Sequence, residues 1–277
     1  MINYNSRAWF TLIFKFHKSD TLRMLLPAML GLAAFATLII YLELEVFKVS
    51  FKSASIMFSL LGFVISMLLV FRTNTAYERW WEGRKLWGSL VNSSRNLAIK
   101  LNAFLPEKSE HKAFFAEYIP FYAFVLKEHL RGNKVTKLNS SFAHQPNYVA
   151  LLIAQRLKKV QEEKLITGEQ LIVLNQEFTN FTDVCGACER IRKTPIPYSY
   201  SLFLKKFIFV YIISMPFGFV NEAGYGIVPV MVFVFYVLAS LELIAEEIED
   251  PFGSDANDLP LDEIAETIDV NVNELLT

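Results

Sequence analysis

Apolar residues in this chain gather into a few long runs. Met24 to Leu42 carries nineteen residues without a charge and Ala54 to Phe71 eighteen, each close to the ~20 residues that cross a hydrocarbon core as a helix. Two more uncharged stretches come late: Phe207 to Val220, opened by Lys205 and Lys206, and Gly226 to Leu241, with the turn-forming Asn221 to Tyr225 between them. The four runs predict four membrane-embedded segments, the last two forming a hairpin. Between the second and third, apolar residues recur at helical spacing over Thr75 to Phe104, Lys112 to Gly132, Pro146 to Glu163 and Thr167 to Lys193, with breaks at Pro106, at Gly132 and Asn133, and at Thr167 and Gly168. No stretch alternates with the period of a strand. The predicted fold class is an all-α membrane protein, with four membrane-embedded helical segments per subunit plus a cytoplasmic helical bundle. Its parts are 1–71 (N-terminal segment and first two transmembrane helices), 72–198 (cytoplasmic helices), 199–245 (third and fourth membrane segments) and 246–277 (cytoplasmic acidic turn and tail).

Composition agrees with this division. Of 277 residues, 53% are hydrophobic and 20% charged, yet the net charge is only −1, so apolar and charged residues are segregated along the chain. Near-neutrality gives no reason to invoke nucleic acid. Met1 to Asp20 lacks the basic, apolar and small-residue layout of a cleavable signal peptide. With four spans, both termini and the long middle share one side, which holds 25 of the 27 Lys and Arg; only Lys48 and Lys52 fall in the first outer loop. Arg7, Lys15, Lys18 and Arg23 before the first span, and Arg72, Arg79, Arg84 and Lys85 after the second, place that side in the cytoplasm. The expected location is a cell membrane, crossed several times, of the bacterial inner-membrane type.

Catalytic patterns are absent. The four histidines, His17, His111, His129 and His144, are scattered, and there is neither a Gly-rich phosphate loop nor an HExxH pattern, so an enzyme is not expected. Cys185 and Cys188 form a lone CGAC, half a zinc site at best, and read as small residues on a packed helix. In the second span Ser55, Ser59, Gly62 and Ser66 make a small-residue face. Beside it Phe63, Met67 and Phe71 are spaced by four, bulky enough to constrict an axis surrounded by several copies. Spacing alone favours ordinary helix packing. The next residues, FRTNTAYERWWEGRKLWG (Phe71 to Gly88), mix Trp with Arg as an interfacial anchor does. After the fourth span, seven carboxylates lie within the seventeen residues Glu242 to Asp258. Asp255, Asn257 and Asp258 offer the hard oxygens calcium prefers, without an EF-hand pattern; a solvated acidic helix end explains them as well.

At these residues the sequence resembles the bestrophin family, particularly its bacterial members. FRTNTAYERWWEGRKLWG follows the second span, CERIRKTPIPYSY (Cys188 to Tyr200) precedes the third and EEIEDPFGSDANDLPLD (Glu246 to Asp262) follows the fourth, so the likeness extends from about Asn3 to Asp262. The resemblance implies a homopentameric ion channel in a lipid membrane, passing small monovalent ions passively. Aligned on Arg79, Trp80 and Trp81, the family's hydrophobic neck falls on Phe63, Met67 and Phe71. Its lower cytoplasmic aperture falls near Glu169, where relatives usually carry an apolar residue. Asp255 and Asp258 coincide with the aspartates of the calcium clasp of animal members, although Ala256 and Asn257 interrupt the acidic run; no cofactor is required and Ca²⁺ is a candidate ligand. Glu43 and Glu45 near the outer entrance, with Glu169, lean the expectation towards cations such as Na⁺ or K⁺, although Lys48 and Lys52 argue the other way and leave chloride and other anions as the alternative. A non-conducting scaffold whose cytoplasmic helices bind a partner is the alternative. A secondary transporter would need intramembrane ionisable residues and broken inverted repeats, which the sequence does not display.

Overall fold

The structure is a computed structural model that describes residues 21–48, 55–107, 109–136, 138 and 142–277. The N-terminal flank with Arg7, Lys15 and Lys18, and Lys52 of the first outer loop, lie outside the described residues. Among the described residues every regular element is helical: α1 (Thr21–Tyr41), a π-helical turn (Leu42–Phe47), α2 (Ser55–Phe104), α3 (Glu110–Leu130), α4 (Gln145–Glu162), α5 (Gly168–Lys193), α6 (Tyr198–Ala223), α7 (Ile227–Glu249) and α8 (Leu261–Leu276). Among the described residues, three stretches are long and apolar enough to cross a membrane, Thr21–Phe47, Ser55–Phe104 and Tyr198–Glu249. The last contains the expected third and fourth segments as α6 and α7. They are joined by a tight turn at Gly224–Gly226, where Gly224 takes φ +50°, a conformation that suits glycine.

Two elements differ from expectation. The second span and the following amphipathic segment are one unbroken 50-residue helix, α2, about 75 Å at 1.5 Å per residue. Nothing at the junction interrupts it: there is no proline or glycine between Phe71 and Thr75, and Thr73 and Thr75 return their hydroxyl protons to the Leu69 and Phe71 carbonyls. The tail, unassigned from sequence, folds as α8. Leu261, Ile264, Ile268 and Val272 recur at helical spacing and are buried, so the segment forms by covering one apolar stripe.

The chain divides into two compact units. The apolar unit comprises residues 21–78 and Pro195–Glu249, the polar unit Arg79–Thr194 and Asp250–Thr277. In the apolar unit α1 packs on α6 and α7. Gly218 has no room for a Cβ beside the Phe58 ring, and a Cβ on Gly62 would stand 2.9 Å from the Tyr211 hydroxyl, so glycine permits close helix approach at both points. Arg72, fully buried on α2, reaches Glu249 Oε2 at 2.7 Å and Glu242 Oε2 at 3.5 Å, both on α7. Glu249 Oε1 also accepts the Ile196 backbone N–H at 2.7 Å, and the Tyr200 hydroxyl donates to the Leu68 carbonyl at 2.9 Å. The end of α7 and the entry to α6 are thus tied to α2.

In the polar unit α3 is central, packed against α4 on one side and α8 on another. Trp87, Leu90, Leu97 and Leu101 of α2 join Phe115, Ile119, Tyr122 and Leu126 of α3, and Phe181, Val184 and Cys188 of α5, in one core. The Tyr122 hydroxyl donates to the Phe181 carbonyl at 2.8 Å. Thr167 and Gln170 form a capping box that starts α5. Cys185 and Cys188 are buried in this core; burial pushes the Cys185 thiol up to about 12 and raises Cys188 too. At the start of α8, Asp262 accepts from Arg131 through both oxygens, at 3.1 and 2.7 Å, and from Lys127 at 2.6 Å.

Two predictions follow from these ion pairs. Arg72→Met strips Glu242 and Glu249 of the guanidinium they face and should cost about 3–5 kcal/mol, because a buried charge is left uncompensated. Thermal unfolding in detergent reads this as a lowered Tm, which adding Glu242→Gln and Glu249→Gln should largely restore; an unchanged Tm in the single variant would contradict it. The Arg131 and Lys127 hydrogen bonds hold the Asp262 carboxyl at about 2, below its ordinary 3.8. A depressed folded value contributes stability above the unfolded value and loses it as pH falls through the folded one. Asp262→Asn should therefore be slightly less stable than the parent at neutral pH, the effect being small because Asp262 is largely exposed. The difference should shrink between about pH 4 and pH 2; circular dichroism melts across that range would sink the assignment if the gap stayed constant.

Candidate pore stripe and acidic turn

The membrane half of α2 presents two faces. Phe58, Ile65, Leu69 and Arg72 are buried by the chain's own helices, at the three- and four-residue steps of one helical side. Phe63, Met67 and Phe71 leave 68%, 51% and 54% of their surfaces open. All three are therefore uncovered within one copy of the chain. The small-residue face is accounted for differently: Gly62 lies against Tyr211, while Ser59 and Ser66 donate to the Ser55 and Gly62 carbonyls at 2.9 and 2.8 Å. Those hydroxyl protons are occupied inside the helix, as an apolar surrounding requires.

Beyond Glu78, α2 carries the charged motif, and three separated sequence motifs meet there. Arg79 donates to the carbonyls of Ile191, at 2.6 Å, and Thr194 at the end of α5. Glu82 accepts from Arg190 at 2.8 Å. Trp80 Nε1 donates to the Asn257 carbonyl at 3.0 Å, in the acidic turn. A Cβ on Gly83 would meet the Phe252 ring at 3.1 Å and Leu259 at 3.2 Å, so glycine lets the turn lie close to the helix. Arg79, Trp80, Glu82 and Gly83 thereby hold both the end of α5 and residues 252–259.

The acidic turn is closed on itself. Leu259 N–H donates to the Pro251 carbonyl at 2.9 Å and Asp258 N–H to the Asp255 carbonyl at 3.2 Å. Asp258, buried, accepts the Asp255 N–H on Oδ2 at 2.7 Å. A Cβ on Gly253 would lie 2.7 Å from that oxygen. Arg131 Nε donates to the Gly253 carbonyl at 3.2 Å. Asp255 itself is exposed. The carboxylates of the pair thus differ: one is built into the turn and the other points outward.

The remaining candidates are dispersed. Glu169 is exposed in the first turn of α5, where a hydrogen bond with Thr167 holds its carboxyl below the usual range. Glu43 is buried in the π-helical turn and Glu45, two residues on, is exposed. Sequence reasoning did not find Arg72 as a buried charge or the grouping of His129, His144 and Glu189. A sign for Arg72 was available in Glu242, a lone carboxylate at the end of an otherwise uncharged run. His129 and His144 flank one loop, but nothing in their spacing points to Glu189.

Comparison with known proteins gives the family. The family model described as Bacterial/Fungal Bestrophin protein matches residues 1–274. A Nostoc relative called voltage-dependent anion channel-forming protein alr2987 is 38% identical, over 76% of this chain and 74% of its own. Escherichia coli K12 has a similar protein called voltage-dependent anion channel-forming protein YneE, 31% identical over 99% of this chain and 94% of that one. The crystal structure of a bacterial Bestrophin homolog from Klebsiella pneumoniae with a point mutation superposes with a TM-score of 0.84 at 27% identity, covering 91% of this chain and 98% of that one. This chain therefore belongs to the bacterial and fungal bestrophin family of membrane proteins.

Proposed function

We propose that the chain forms a passive ion channel along an axis between copies of itself, as a homopentamer, with Phe63, Met67 and Phe71 as the hydrophobic neck. The observation that carries this reading is the uncovered stripe on α2, whose opposite side is buried within the subunit. Lipid can cover apolar side chains on a membrane helix; the constriction follows from the register in which the family neck falls on these three residues. Names of the relatives support ion conduction. Four membrane-embedded segments with both termini cytoplasmic complete the reading, with Glu169 at a lower aperture and Glu43 and Glu45 towards the outer entrance.

Bulky apolar rings impede ions by excluding water and do not choose their sign. The relatives are named for anions, whereas exposed Glu45 and Glu169 would raise local cation concentration if repeated around an axis. In planar bilayers, Phe63→Ala with Met67→Ala and Phe71→Ala should raise single-channel conductance while the oligomer elutes unchanged; unaltered currents would remove the neck assignment. The same recordings across a NaCl gradient give the sign of the reversal potential, which separates chloride from sodium conduction.

Calcium is part of this proposal at the acidic turn. Asp255 and Asp258 would supply carboxylates, with Asp258 already seated in the turn. Calcium titration should stabilise the parent protein and leave Asp255→Ala with Asp258→Ala unaffected; identical responses would remove the metal from the reading.

A further inference from the structure

Two histidines fifteen positions apart in sequence converge on one carboxylate. His129 stands in the last turn of α3, His144 caps the N-terminus of α4, and Glu189 lies on α5. His129 Nε2 lies 2.6 Å and His144 Nε2 2.7 Å from the same oxygen, Glu189 Oε1. The three ligand atoms all lie within 4.8 Å of one another, and the ring centroids are 4.6 Å apart. All three side chains are partly buried. Burial by itself would raise the Glu189 carboxyl, but hydrogen bonds from both imidazoles, helped by the charges of His144 and Lys193, hold it at about 2. The carboxylate is therefore ionised throughout the neutral range.

We propose that His129, His144 and Glu189 bind a divalent first-row transition ion, with zinc as the best fit. Two imidazoles and a carboxylate are a recurrent zinc ligand set, with a fourth position left to water. Tetrahedral bonds of about 2.0–2.1 Å space ligand atoms roughly 3.3 Å apart, so the two short contacts to Oε1 need to open by about 0.7 Å around the ion. His144 and Glu189 come from a helix start and a helix interior, and this adjustment is within the reach of side-chain torsions.

The protons balance. His144 Nδ1 accepts the Asn147 N–H at 3.1 Å, so the proton of the neutral ring sits on Nε2. Metal binding at Nε2 moves that proton to Nδ1 of the same ring, and His129 exchanges its tautomer in the same way; a neutral imidazole takes up the ion with no net proton release, and a protonated one releases one proton to solvent. His144 gives up its capping bond, which weakens affinity by about fivefold. Lys193, 3.4 Å from Glu189 Oε2 and mostly exposed, opposes the cation and is free to turn outward. The nearby thiols do not compete, since burial keeps Cys185 and Cys188 protonated. The ion would link the C-terminus of α3, the N-terminus of α4 and the C-terminal part of α5, stabilising the polar unit in proportion to occupancy.

Calorimetric titration of the full chain in detergent, stripped with EDTA and then given zinc sulfate, tests this. The expected result is one zinc per chain in the micromolar range, with a zinc-dependent rise in Tm. His144→Asn keeps a good capping side chain and removes the ligand; it and Glu189→Gln should each weaken binding about tenfold or more and abolish the Tm rise, with elution profile and helicity retained. Parent affinity weaker than about 1 mM, or variants that bind like the parent, would overturn the site. Should a variant lose the native elution profile, the cobalt(II) spectrum of the parent decides: intense tetrahedral bands support the site and a weak octahedral spectrum overturns it.

Discussion

A guanidinium buried among membrane helices must find its counter-charge inside the protein, and Arg72 finds two on α7. The desolvation cost of an ion is several kcal/mol, so Arg72 is tolerable only while Glu242 and Glu249 stand where they do. That condition fixes the end of α7 against α2. Glu249 extends it to the entry of α6 by accepting the Ile196 N–H. Arg72 also follows Phe71 directly, so the same anchoring sets the rotation of α2 about its own axis, and with it which residues are buried and which remain uncovered.

A second set of constraints acts further along the same helix. Arg79, Trp80, Glu82 and Gly83 are nearly consecutive, and they hold the end of α5 by carbonyl hydrogen bonds and the acidic turn by an indole N–H and by the space a glycine leaves. Three motifs far apart in sequence thereby become one structural joint within the polar unit. Conservative replacement at Arg79 or Gly83 would not preserve it, since the first needs a forked donor and the second the absence of a Cβ. The acidic turn gains its shape from this joint and from Asp258, whose Oδ2 receives a backbone N–H. Its aspartates are therefore unequal: Asp258 has a structural duty and Asp255 is the exposed partner.

The polar unit also shows how helix ends can be used twice. His144 serves as an N-cap through Nδ1 while turning Nε2 to Glu189, and His129 near the end of α3 meets the same oxygen. One carboxylate gathers three helices without calling on either buried thiol, although the CGAC pair is the more conspicuous feature of the sequence.

Local chemistry determined much of this protein unaided. Long uncharged runs announced α1 and the first part of α2, shorter ones announced α6 and α7, and helical spacing announced α3, α4 and α5, because both signals depend only on neighbours along the chain. The continuity of α2 was masked by the abrupt change from apolar to charged residues at Arg72, which alters solvent preference and leaves helix propensity intact. Helix α8 was hidden behind the acidic turn, its periodic Leu261, Ile264, Ile268 and Val272 being a short pattern that gains meaning only against α3. Tertiary structure alone decided that Arg72 is buried and paired, that the family motifs meet on Arg79 to Gly83, and that His129 and His144 share Glu189. Each of these joins groups distant in sequence, and no periodicity along a chain encodes which distant charge or ring will be brought within hydrogen-bonding reach.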